Sequence, residues 1–153
     1  MARRRSLVLA GTAGLAAAVA APPPAPVLQI ENTARGRTLS IAIGRGESFS
    51  VTSQHSMYDQ PVTEEFAVDA AGRIVLTAVS SPSAAVREYL GITSPGERHP
   101  MHRAMPEIVF RVAAGTPQRL CVRGVERSFL SLGQHGDRLV MRAVLIEMGG
   151  RSP

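Results

Sequence analysis

Residues 49–68 read Phe-Ser-Val-Thr-Ser-Gln-His-Ser-Met-Tyr-Asp-Gln-Pro-Val-Thr-Glu-Glu-Phe-Ala-Val. Apolar and polar residues alternate from Phe49 to His55, and again from Val62 to Val68. A period of two is the signature of a half-buried strand, so the stretch predicts a β-hairpin turning through Met57–Gln60. Phe49, Val51, Ser53 and His55 share one face of the first strand, and Val62, Glu64, Phe66 and Val68 share one face of the second. If both apolar faces meet one core, opposed residues have numbers that sum to an odd total, 55 with 64 being one solution. His55 and Glu64 then point inward together. A carboxylate in an apolar phase needs a polar neighbour, and the imidazole supplies one.

Working outward, Val27–Ile30 and Leu39–Ile43 predict strands before the hairpin, and Arg73–Val79 predicts one after it. Ser81 as cap, Pro82 at the first helical position, Ala84–Tyr89 as body and Gly91 as stop predict a single short helix. Ile92–Pro106, interrupted by Pro95, Gly96, Pro100 and Pro106, reads as a long loop. Strands are expected again at Glu107–Val112, Arg119–Val122, Arg127–Leu132 and Arg138–Met148, the last apolar on both faces and so placed at a sheet centre. Seven to eight strands within 39–149, beside the short Val27–Ile30 lead-in and one helix, predict a mostly β fold, an antiparallel β-sandwich or a small barrel.

The chain has 153 residues and a formal charge of +5. Arg3, Arg4 and Arg5 carry three of those charges, and removing them leaves +2. The other arginines are scattered among acids and there is no tryptophan, a distribution that argues against a nucleic-acid partner. Arg3–Arg5, the apolar run Leu7–Ala21 and the small-residue step Ala18-Val19-Ala20 read as an export signal over residues 1–20. The apolar run falls short of the roughly 20 residues of a spanning helix, which favours a cleaved signal over a permanent membrane anchor. Arg4-Arg5 also loosely fits a twin-arginine signal. Residues 21–38, opening on Pro22-Pro23-Pro24-Ala25-Pro26, read as a proline-rich spacer and lead-in, and 39–149 as one β-domain. Cys121 is the sole cysteine, so no internal disulfide forms, and its strand setting marks it as a small buried hydrophobe.

Several residues around the hairpin invite chemistry. Ser53, Ser56, Tyr58, Pro61, Glu65 and Tyr89 are candidate supports for a His55–Glu64 site. A hydrolase would use His55 as base with Glu64 orienting it, but Ser56 points to the opposite face and only Ser53 is a local nucleophile. His99, Met101, His102 and Met105 bring imidazole and thioether groups that suit copper, opposed by Arg98 and Arg103. No cofactor motif is present.

His55-Ser56 followed by Pro61-Val62 and Glu64 resembles a bacterial family catalogued as domain of unknown function 1850, in which a strand ends in His-Ser-Val and returns through Pro-Val-x-Glu. The resemblance runs from about Leu39 to Met148 and takes in Glu88-Tyr89-Leu90-Gly91. Here Ser53 stands where an aromatic is common, Met57 replaces a valine, and Tyr58 replaces an acidic residue. The resemblance implies a small exported or membrane-anchored protein accessory to a tripartite periplasmic solute transporter, with transporter components or a small organic solute as partner. The expected function is therefore an extracytoplasmic binding module. A hydrolytic enzyme and a copper-binding periplasmic protein are the alternatives.

Overall fold

The computed structural model describes residues 24–146. The export signal expected over residues 1–20 lies outside the described residues. Within them ten strands form two antiparallel sheets: β1 (Ala25–Asn32), β2 (Arg37–Ala42), β3 (Ser48–His55), β4 (Gln60–Val68), β5 (Ile74–Ser80), β6 (Arg98–Met105), β7 (Ile108–Arg111), β8 (Arg119–Val122), β9 (Val125–Ser128) and β10 (Arg138–Ile146). The orders are β2-β1-β10-β7 and β6-β5-β4-β3-β8-β9, giving an open β-sandwich rather than a closed barrel. No helix among the described residues is long and apolar enough to cross a membrane.

Alternation builds the core. Leu28, Ile30, Leu139 and Met141 from the smaller sheet meet Phe49, Val51, Phe66, Val68, Ile74, Leu120 and Val122 from the larger one, all buried. Burying each large apolar side chain contributes roughly 1.5–3 kcal/mol before conformational entropy is offset. Phe49 and Phe66, directly opposed in the β3–β4 ladder, stack with centroids 5.3 Å apart. The final strand β10 lies between β1 and β7, at the centre of its sheet as its two apolar faces predict.

The sequence expectation and the fold differ at four places. The lead-in 21–38 contains β1, which runs between β2 and β10, so the folded unit takes in Ala25–Asn32 as well as the residues from Leu39 on. Pro26 is tolerated because it lies beyond the last β1–β2 pair, Val27 with Ala42. The loop expected over Ile92–Pro106 is half strand: β6 pairs with β5 at the sheet edge, where Pro100 does little harm. The strand expected over Arg127–Leu132 is instead β9 followed by a 3-10 turn, Phe129–Ser131, which drops Phe129 into the core edge-on to Phe110 at 5.1 Å. In the helix α1 (Ala84–Tyr89) the cap is Ser83, whose hydroxyl accepts the Val86 N–H, so Pro82 precedes the cap. Gly91, at φ +74°, stops it as predicted.

Candidate functional site

A four-residue turn, Ser56–Asp59, closes the β3–β4 hairpin. The Asp59 N–H donates to the His55 carbonyl at 2.8 Å, and the Gln54 amide donates to the Asp59 carboxylate at 3.0 Å. Asp59 takes φ 50°, a left-handed conformation that Asp tolerates better than most residues. The turn fixes the register: His55 faces Gln60, Ser53 faces Val62 and Val51 faces Glu64.

His55 and Glu64 leave the same sheet face, as strand parity requires, but they are not directly paired. Opposed numbers sum to 115, not 119, so the Ser53–Val62 pair lies between them. At ~3.4 Å per residue the offset along the strands is about 14 Å. The reason is turn length: strand pairing continues to His55 and resumes at Gln60, where opposing 55 to 64 needs an eight-residue loop.

What His55 meets instead is aromatic. The turn folds Tyr58 back so that its ring lies 5.3 Å from the imidazole, and the last residue of α1, Tyr89, packs edge-on at 4.8 Å. The two tyrosines are 6.2 Å apart, so the three rings form one cluster, with edge-to-face geometry that favours aromatic pairing. Both tyrosines remain exposed, 38% for Tyr58 and 59% for Tyr89, and their chain neighbours Met57 and Leu90 are exposed at 66% and 40%. His55 Nδ1 is buried with no hydrogen-bond partner among the described residues. An unpaired buried nitrogen costs stability.

Glu64 sits in the inner face between Val51 of β3 and Val79 of β5, with Val62 and Phe66 flanking it along β4. All four neighbours are buried. Burial pushes its carboxyl above the ordinary value, and no cation or donor among the described residues opposes that rise. Glu65, one residue on, faces the other way and is held by a bidentate ion pair with Arg98 at 2.7 and 2.8 Å. Those bonds lower its carboxyl below the usual range. Glu65 therefore belongs to the outer face and not to the His55 corner.

The remaining supports disperse. Ser53 is half-buried opposite Val62, Ser56 is exposed in the turn, and Pro61 is exposed opposite Gln54. The His99–Met105 group lies on strand β6, not on a flexible loop. His99 is buried, with Nδ1 bonded to the Ser94 hydroxyl and Nε2 to the Gly96 carbonyl, both at 2.8 Å. Both ring nitrogens are thus engaged in fastening the preceding loop, while Met101 and His102 are exposed and Met105 is half-buried. Cys121 is half-buried between the buried Leu120 and Val122, on the outer face of β8.

The aromatic cluster was not legible from the hairpin alone, because Tyr89 reaches His55 only once α1 has docked. The one signal in the sequence was a tyrosine in the last turn of a short helix, just before a glycine stop. No family model, curated protein or solved structure matches this chain.

Proposed function

We propose that the protein is an extracytoplasmic binding module, accessory to a tripartite periplasmic solute transporter, that presents the His55–Tyr58–Tyr89 corner to its partner. The observation that carries the reading is the corner itself. Two exposed tyrosines and two exposed aliphatic neighbours surround an imidazole whose buried Nδ1 lacks a partner among the described residues. Aromatic anchors ringed by lesser contacts are the usual make-up of interface hot spots. The basic, apolar N-terminal sequence supports export, and a lone cysteine is compatible with an oxidising compartment. The hydrolytic alternative draws no support from the hairpin, since Glu64 faces Val51 and cannot orient His55 from there.

Co-purification from the native membrane tests the reading, comparing wild type with the Tyr58→Ala/Tyr89→Ala double variant. Transporter subunits should be recovered with wild type and fall at least about tenfold with the variant, since a hot-spot aromatic contributes on the order of 2 kcal/mol. Equal recovery by both proteins, or no transporter subunit with wild type, refutes it.

A further inference from the structure

The sandwich is open along the side where the edge strands β2 and β9 face each other, and there a cavity of about 270 Å³ lies between the sheets. Ile30, Leu39 and Leu132 supply its apolar lining, and Arg37, Arg127, Thr38 and Ser131 its polar lining. Arg37 is opposed to Asn32, which is buried, and Arg127 is opposed to Leu120, which is also buried. Opposed residues share a face. Both arginines therefore leave their strands on the core side, from two different sheets, over one opening.

Their charge is uncompensated. Arg35, Arg73, Arg98, Arg123 and Arg142 each hold a carboxylate within 2.8 Å. Among the described residues, Arg37 and Arg127 take part in no such pair. Asp137, bonded to the lining residue Asn32, is already engaged by Arg35 at 2.6 Å. The opening is cationic at its rim, with Ile30, Leu39 and Leu132 and the buried Asn32 within.

We propose that this opening binds a small organic carboxylate, independently of the aromatic corner. The guanidiniums of Arg37 and Arg127 receive the carboxylate, for which their planar fork of donors is suited. The apolar body rests on Ile30, Leu39 and Leu132, while the Ser131 hydroxyl is already donated to the Ser128 carbonyl at 2.6 Å and leaves the two guanidiniums as the donors. A volume of about 270 Å³ lies at the small end of ligand sites and restricts the occupant to a small molecule.

The test is a chemical-shift titration of the full chain with benzoate, benzamide and sulfate. Benzoate should saturate, with shifts centred on Ile30, Thr38, Leu39 and Leu132. Benzamide, which keeps the ring and lacks the charge, should bind at least about tenfold more weakly. Sulfate, which has the charge and lacks the apolar body, should also be weaker. Arg37→Gln and Arg127→Gln should each weaken benzoate about tenfold, and Arg73→Gln, at a remote ion pair, should change nothing. Both arginines are exposed, so the variants should retain the wild-type spectrum elsewhere. Inward-pointing charges on edge strands also discourage edge-to-edge pairing. If that is their whole role, benzoate produces no saturable shift while the Arg37→Gln/Arg127→Gln double variant self-associates; absence of a saturable shift by itself overturns the proposal. Undiminished benzoate binding in the double variant, or sulfate binding as tightly as benzoate, overturns it equally.

Discussion

Replacing Glu64 by glutamine should stabilise the protein at neutral pH and leave it unchanged in acid. Four apolar neighbours surround the carboxyl: Val51 and Val79 across the ladders, Val62 and Phe66 along the strand, each under 10% exposed. Along that inner face the nearest basic side chains are His99, two strands away with both ring nitrogens bonded elsewhere, and Arg127, three strands or about 14 Å away at ~4.8 Å per strand. Desolvation is therefore unopposed and raises the carboxyl. The charged form is the penalised one, so this group's penalty is absent below the unfolded value near 4.5 and grows as pH rises through the higher folded value. Glutamine keeps the shape and cannot ionise. A tenfold bias against the charged form corresponds to about 1.4 kcal/mol, and a partly buried carboxylate places the expected gain on the order of 1 kcal/mol at pH 8. With a urea slope of about 1.5 kcal/mol/M, the midpoint should rise by roughly 0.7 M at pH 8 and stay level near pH 4. A gain of equal size at both pH values would mean that shape and not charge is responsible, and destabilisation at pH 8 would mean that the carboxylate has a favourable partner.

Burial and hydrogen bonding set the remaining expectations. Asp137 is held at about 2 by bonds from the Asn32 amide, the Gln134 N–H and Arg35. A depressed carboxylate stabilises above its unfolded value, so Asp137→Asn should have a lower urea midpoint than wild type at pH 7, with the gap closing as pH falls from about 4 through about 2. Phe129→Ala removes a fully buried ring packed on Phe110 and should cost about 3–5 kcal/mol, whereas Leu130→Ala, at an exposed position, should stay within about 0.5 kcal/mol by the same denaturation assay. His99→Ala severs the bonds to Ser94 and Gly96 and should cost about 2 kcal/mol, with faster amide exchange in 92–98 as the local readout. Asp59→Val, forced to φ 50°, should cost about 1–2 kcal/mol in the same assay.

Alternation identified the sandwich because strand residues report their face directly. Phe49, Val51, Val62, Phe66 and Val68 all lie in the core, where their phase puts them. Parity carried less than register. An odd total is common to 115 and 119, and only the turn chooses between them, through Asp59 and the four-residue closure. Strand β6 escaped for a different reason: Pro100 sits in it, its register shifts between Leu76 and Ala78, and its buried inward residue is a histidine, not an aliphatic. Edge strands accept all three irregularities because one side of the ladder makes no demands. The cationic opening was invisible for a related reason. Arg37 and Arg127 are 90 positions apart in sequence, and each alone reads as an ordinary solvated charge until sheet order brings β2 and β9 to one side.

One row across the larger sheet holds three polar exceptions to its inner face, beside Ser53 and His55 nearer the hairpin turn. From edge to edge it runs Arg127, Leu120, Val51, Glu64, Val79, His99. Polar residues at the two ends are accommodated: Arg127 reaches solvent at the opening, and His99 is bonded through both ring nitrogens. Glu64 at the centre is half-buried and has no side-chain hydrogen bond or ion pair among the described residues, so it is the position in the row whose burial is least compensated. A residue that breaks the local pattern without an evident structural return is where function is to be sought. The stability expected of Glu64→Gln bears on this directly, because a functional carboxylate in this setting implies a trade-off, with a variant that is more stable and binds less well. Co-purification of Glu64→Gln beside the Tyr58→Ala/Tyr89→Ala variant decides between the possibilities. Loss of partner recovery together with a raised urea midpoint would join Glu64 to the aromatic corner as one site. Full recovery with the raised midpoint would leave Glu64 a structural defect and confine recognition to the three rings.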